Sequence, residues 1–407
     1  MRLGWPTYKS RLTDTFGTMP PKPTTEQTIP DGQLLTGHVA EWGELLASLQ
    51  EHVGLTVLVA DPLSGTSLML HAALEESGEQ FALVDARVCA DSRDLAMAIA
   101  DAAVGAIAPE ALAWWQGAAP PASTAGLRLR RSLHDRGIET EELRVGKGDG
   151  PVLLRRALDL TANLTTGHVV IAIDHLGAML SNVRGGHALE ILDALRAASQ
   201  RSSDLALVLV DQPHGPISQA LGDPRHPMYR AGETQRVTRP TPDRVIQDLA
   251  ITKPLVRTPI GLLRAAADLA TGVPALTWQI VALAAGEGDV NARAVEGWQA
   301  LRRANATSVR QQWDELRRLH PAAQTLVAAI SLGIKPHSIS AASKTVDDGL
   351  NRLRDVGLAW QPEQRTWAIA DPLLAAFARE HAPPWALRRS SGARISSARG
   401  ASDSLVA

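Results

Sequence analysis

Short apolar runs and amphipathic stretches alternate along the first half of the chain. Residues 55–60, 81–85, 169–173 and 205–210 are almost continuously apolar and rich in Val, Ile or Leu, and a weaker run lies at 235–238. Runs with no polar face are how strands read when helices cover both sides of a parallel sheet. Between them, residues 67–75, 95–104, 152–163 and 189–198 carry apolar positions at helical spacing. Strand–helix alternation over roughly 200 residues predicts a doubly wound α/β domain. The stretch 109–150, with Pro120, Pro121 and several glycines, breaks this rhythm and reads as an extended insertion or loop.

Past residue 242 the strand pattern stops. Residues 245–250, 262–270, 274–284 and 292–304 are helical in period, predicting a small all-α subdomain. A longer amphipathic stretch, 313–332, is followed by 346–353. Residues 357–369 then place Leu358, Trp360, Trp367 and Ile369 around a polar turn at 361–365, as in a β-hairpin. Helix, helix and hairpin in that order is the outline of a winged helix. The expected layout is therefore a proline-rich arm at 1–33, an α/β domain at 34–241, a helical lid at 242–307, a winged-helix-like module at 308–383 and a basic tail at 384–407. Arm and tail have the composition of disordered chain.

Composition narrows the function classes. The chain of 407 residues is 45% hydrophobic and 21% charged, as expected of a soluble globular protein. Its apolar runs are far too short to span a bilayer, and no signal-peptide pattern opens it, so a cytoplasmic protein is expected. A single cysteine, Cys89, excludes an intramolecular disulfide framework and any cysteine-built metal site. The formal net charge of -2 leaves only local surfaces for nucleic acid.

The first apolar run leads into Asp61, Pro62, Leu63, Ser64, Gly65, Thr66, Ser67 and Leu68, where a helix begins. Strand, loop and helix in this order are the setting of a P-loop, whose backbone N–H groups and helix N-terminus face phosphate oxygens. Gly65 allows close backbone approach, and Ser67 stands where a hydroxyl holds Mg²⁺. Against G-x-x-x-x-G-K-[ST], Ala60 replaces the first glycine and Thr66 the lysine. The same residues also read as an ordinary turn capped by Ser64 or Thr66. The run 169–173 ends in Asp174, which is placed like a Walker B carboxylate toward Mg²⁺ or else caps the next helix. His175 follows, where an ATPase has the glutamate that polarises water.

With these residues in view, the chain resembles the archaeal-type ATPases, relatives of the origin-recognition AAA+ and STAND NTPases. The resemblance covers about residues 35–380. Leu35, Thr36, Gly37 and His38, with Glu41 and Leu45, are similar to the opening motif F-x-G-R-x-x-E. Residues 81–87 look like the second strand, and His226, Pro227, Met228, Tyr229, Arg230 and Ala231 resemble S-P-L-Y-G-R-A. Gly272 and Pro274 look like the G-x-P of a lid helix, and Asp371, Pro372, Leu373 and Leu374 like a closing D-P-L-L. The resemblance implies an AAA+/ASCE-type parallel sheet with flanking helices, a lid and a C-terminal winged helix. It also implies ATP and Mg²⁺ as cofactors, bound by residues 61–68 and Asp174, with the metal on Ser67 and Asp174.

The departures fall on chemistry. A P-loop lysine makes charge-assisted bonds about twice as strong as the neutral bond Thr66 can offer. Loss of a positioned base costs about 10²–10⁴-fold in rate. His175 is the candidate replacement base, and Arg230 is read either as an arginine finger or sensor residue or as a structural salt bridge beneath the sheet. Gly272 and Pro274 also read as a turn before a helix with Pro at its first position. Lys147 is a candidate displaced cation or a solvated loop lysine. The predicted protein binds nucleotide, hydrolyses it weakly or not at all, and acts through a protein partner, DNA or a second copy of itself. An active ATPase of a replication, mobile-element or defence system and a winged-helix DNA binder with a vestigial ATPase domain are the alternatives. For DNA, the candidate contacts are Lys344, Arg352, Arg354 and Arg365. Residues 310–383 carry nine Lys/Arg against eight Asp/Glu, which argues equally for a protein surface.

Overall fold

A computed structural model describes residues 37–117, 124–138, 140–164, 167–183, 186–213, 215–251, 258–284, 286–339, 343–363 and 366–382. The expected arm at 1–33, the tail at 384–407 and Arg365 lie outside them. The chain forms two compact units, one made of residues 38–61 and 66–238 and the other of residues 62–65 and those from 239 onward.

In the first unit, α1 (Val39–Gln50) precedes β1 (Leu55–Ala60), α2 (Thr66–Ser77) and β2 (Gln80–Asp85). Then come α3 (Ser92–Ile107), α4 (Leu112–Trp115), α5 (Thr124–Asp135), α6 (Glu141–Val145) and α7 (Gly150–Leu164). The unit continues with β3 (Val169–Asp174), α8 (Leu176–Asn182), α9 (His187–Arg201), β4 (Leu205–Asp211), α10 (Pro216–Gly222) and β5 (Glu233–Val237). The strands form one parallel sheet in the order β2-β3-β4-β1-β5. Side chains alternate between two cores. Val57, Ile171 and Leu207 pack on one face with α3, α7 and α9, while Leu58, Ala172 and Val208 pack on the other with α1 and α2. Helices on both faces explain why β3 and β4 are buried from end to end.

The expected loop at 109–150 is largely helical instead. Trp114, Trp115, Leu133 and Leu143 join the core beside α3, and the Trp115 indole N–H donates to Asp101 at 2.6 Å. The glycines that suggested a loop sit at helix ends: Gly137 and Gly146 adopt positive φ after α5 and α6. They punctuate short helices rather than preventing them.

The second unit holds α11 (Pro242–Ile251), α12 (Ile260–Leu269), α13 (Pro274–Leu283), α14 (Val290–Ala304), α15 (Ala306–Leu319) and α16 (Ala323–Ser331). After these come α17 (Ser343–Asp355), the antiparallel pair β6 (Ala359–Glu363) and β7 (Thr366–Ile369), and α18 (Pro372–Glu380). One continuous core runs from Ala266 and Ile280 through Trp298, Leu316 and Leu326 to Leu350 and Leu374. The single helix expected at 313–332 is two helices. Pro321 lacks an N–H and drives the preceding residue out of the α region, and His320 is extended at φ -162 and ψ 140. Between α16 and α17 the described residues contain only a short 3₁₀ turn, Pro336–Ser338. Among the described residues no single helix is long and apolar enough to cross a membrane.

Candidate phosphate-binding site

Parallel strands all end on one edge, and four of the five end there in aspartate. Asp61 follows β1, Asp85 ends β2, Asp174 ends β3 and Asp211 ends β4. Asp85 and Asp174 are register partners, so carboxylates stand side by side on adjacent strands. Asp85 is gripped by Arg87, whose Nε and Nη2 reach its two oxygens at 3.0 and 2.6 Å. Burial works against the Asp85 charge, but the Arg87 hydrogen bonds outweigh it and hold the carboxyl below its ordinary range. Arg236 lies 4.0 Å from Asp61.

The loop leaves β1 at Asp61 and re-enters a helix at Thr66. Leu63 and Gly65 take positive φ, 57° and 95°. The first costs energy for a side chain, whereas Gly65 is the residue that accepts the second freely. Pro62 is half-buried, Leu63 exposed and Ser64 buried. The structure places the remaining predicted residues in the first turn of α2, where backbone N–H groups lack intrahelical partners. Ser67 and Leu68 are exposed, but Thr66, at the lysine position, is only 6% exposed. A hydroxyl and a carboxylate suit Mg²⁺, which takes oxygen ligands. Ser67 and Asp174 therefore fit the metal by their chemistry, and the missing lysine fits ATP poorly.

Asp174 accepts a hydrogen bond from the His175 amide at 2.8 Å. His175 itself is left-handed, with φ 57° and ψ 21°, and its Nε2 lies 3.5 Å from Asp174 Oδ2. The candidate base is thus turned back onto the acid beside it. Arg230 is exposed, has φ 52°, and its guanidinium lies 5.1 Å from the Tyr229 ring centre. Lys344 and Arg352 are exposed on α17, Arg354 is half-buried near Asp355, and Asp347 and Asp348 share the helix surface.

Two groups escaped sequence reading. Asp211 is buried, and its Oδ2 accepts from the Ser218 amide at 2.6 Å and the Ser218 hydroxyl at 2.8 Å. Its Oδ1 is closed in by Gly177 and Gly215, where any Cβ would collide with it. Burial pushes Asp211 above the ordinary carboxylate range, and the Ser218 bonds offset this only in part. Between the two pKa values the native chain binds more protons than the unfolded one, so this group erodes stability as pH rises through that window. Above the raised value its contribution is level. The thermal midpoint of Asp211→Asn minus that of wild type should therefore rise from acidic toward neutral pH. Parallel profiles would contradict the assignment.

The other is Arg239, in the second unit. It donates to the Pro62 carbonyl from Nη2 at 2.5 Å and from Nε at 3.2 Å, and to the Ala370 carbonyl at 2.7 Å. Its guanidinium lies 5.1 Å from the Trp360 ring centre. One arginine thus links the loop residue Pro62 to β6 and to the start of α18. A lone arginine before Pro240 carries no motif; only the fold reveals it.

No protein-family model and no curated protein matches the chain. Among solved structures, the Walker-type ATPase of Pyrococcus abyssi aligns with a TM-score of 0.57 at 18% identity, over 84% of this chain and 95% of that one. The ORC2 protein of Aeropyrum pernix, solved in ADPNP–ADP complexes, aligns at 0.46 and 13% identity, over 88% and 93%. A STAND protein with a tetratricopeptide repeat sensor from Pyrococcus horikoshii aligns at 0.29 and 12%, over 86% of this chain and 44% of that one. The first of these likenesses establishes the fold.

Proposed function

We propose that this chain, which has the fold of a Walker-type ATPase, is a cytoplasmic regulatory protein that binds ATP with Mg²⁺ and hydrolyses it weakly or not at all. The observation that carries the reading is the state of the two catalytic positions: Thr66 is buried where a lysine would reach phosphate, and His175 is folded back on Asp174. Binding retains its supports. Ser67 and Asp174 would hold Mg²⁺, which when bound offsets phosphate charge beside four carboxylates. Amides of Gly65 and the first turn of α2 would meet phosphate oxygens.

Arg239 supplies a route outward. A loop that shifts to admit nucleotide must disturb the Pro62 carbonyl, and the same guanidinium holds Ala370 and Trp360. The winged-helix-like residues would then report nucleotide state to a protein partner or a second copy. The balanced charges on α17, Lys344 and Arg352 among Asp347 and Asp348, favour protein over DNA. The test is thermal unfolding with and without MgATP, in wild type, Asp174→Ala and Arg239→Ala. Ligand at about 100 times its Kd adds about 2.7 kcal/mol. The wild-type midpoint should rise and the Asp174→Ala midpoint should not. Arg239→Ala should keep the rise and lose nucleotide-dependent hydrogen-exchange changes at residues 359–374. An equal rise in Asp174→Ala would sink the reading.

A further inference from the structure

The opposite edge of the sheet, where the strands begin, carries a second set of chemically capable residues. His52 lies in the turn before β1, Glu79 immediately precedes β2 and His168 immediately precedes β3. They are far apart in sequence, and the parallel topology brings them together. The Glu79 carboxylate reaches a nitrogen of each imidazole, with Oε1 3.2 Å from His52 Nε2 and Oε2 3.6 Å from His168 Nδ1. The rings stack with centres 3.9 Å apart and planes 12° from parallel. One ligand-type atom from each residue lies within 4.8 Å of the others, the only such grouping among the described residues.

His168 points to a ligand independently of this spacing. Its side chain is 8% exposed, yet its Nε2 has no hydrogen-bond partner and its Nδ1 only the Glu79 carboxylate at 3.6 Å. Buried polar atoms in that condition demand an explanation. Asp204, just before β4, supplies negative charge nearby. His52 adopts φ 55°, a left-handed conformation that holds it in this turn.

We propose that His52, Glu79 and His168 bind one divalent transition-metal ion of the zinc class, leaving a coordination position open to water. Two imidazoles and one carboxylate are a zinc-type donor set, whereas Mg²⁺ and Ca²⁺ take oxygen ligands. Cys89 does not compete: it is buried, and burial pushes its thiol up to about 12. Parallel stacked rings do not converge on one ion, so binding must turn one ring. His52, whose side chain is 48% exposed against 8% for His168, is the ring free to turn. An ion there would tie together the starts of β1, β2 and β3, at the opposite ends of these strands from the residues proposed to hold nucleotide.

The experiment uses the full chain without an affinity tag, titrated with Zn²⁺ by calorimetry and with Co²⁺ by visible absorption. One ion should bind per chain with a tetrahedral Co²⁺ spectrum, millimolar Mg²⁺ should not compete, and Zn²⁺ should raise the thermal midpoint. Loss of residues that merely support metal ligands weakens binding about 10–100-fold, so His52→Ala and Glu79→Gln should each weaken it at least that much. Both positions are solvent-accessible, and circular dichroism confirms that the variants fold. Absence of saturable Zn²⁺ binding at micromolar ion overturns the proposal, as does undiminished one-to-one binding in both variants. Neither result bears on ATP binding, which rests on other residues.

Discussion

Replacing Thr66 by lysine and His175 by glutamate in one chain should raise ATP hydrolysis well above that of the wild-type chain. The two changes act on separate steps. A lysine on the first turn of α2 adds a charge-assisted bond to phosphate, worth about 1.5–3 kcal/mol, or about 10–150-fold in affinity. Thr66 is buried at its present length, but the lysine stem is long enough to lie along apolar surface and place its ammonium outside. Glutamate at 175 would supply a base for water, a contribution of about 10²–10⁴-fold. It inherits a left-handed backbone that histidine tolerates better, so a small loss of stability should accompany the gain. Thr66→Lys alone should raise affinity without turnover, while His175→Glu alone should change little because nucleotide is weakly held. Phosphate release from the four proteins at equal MgATP checks this. A double variant as inert as wild type, with ATP bound, would show that more than these two groups has been lost.

The largest effect on stability is expected at Gly272. It ends α12 with φ 76°, its amide donating to the Ala267 carbonyl, and Pro274 then opens α13. A Cβ at Gly272 would overlap the Pro240 carbonyl oxygen. The left-handed backbone costs alanine about 1–2 kcal/mol, and forcing atoms into a packed site costs about 1–3 kcal/mol more. Gly272→Ala should therefore lose about 2–5 kcal/mol in urea unfolding with an unchanged slope. A loss within the range of surface substitutions, about 0.5 kcal/mol, would mean the Pro240 segment yields. The resemblance to a G-x-P motif thus has a structural explanation: the glycine is needed for a close crossing of two chains and the proline for a helix start.

The strands were legible because the burial that makes β3 and β4 almost wholly apolar leaves its mark directly in residue type, whereas their order in the sheet was not. Helix ends were less legible. The Pro109–Gly150 region misled because glycines after helices look like glycines in loops, and the buried Trp114 and Trp115 carry no period of their own. Pro321 was visible in sequence, yet the apolar pattern continues across it, so the break between α15 and α16 needed the backbone to show it. The backbone setting of Gly65, Ser67 and Asp174 was readable because strand–loop–helix and strand–acid are local patterns. Asp211 stands just past the apolar run at 205–210 and belongs to no motif. Arg239 acts on Pro62 and Ala370, and no local pattern encodes partners so distant in sequence. The His52, Glu79 and His168 grouping is hidden for the same reason.

The most direct test of the account is equilibrium dialysis of the wild-type chain against MgATP, with the bound nucleotide and any phosphate formed identified at equilibrium and Asp174→Ala beside it. The account expects intact ATP bound in a Mg²⁺-dependent manner, no accumulating phosphate, and no retained nucleotide in Asp174→Ala. Multiple-turnover release of phosphate that disappears in Asp174→Ala would contradict it, and so would failure to bind at millimolar MgATP.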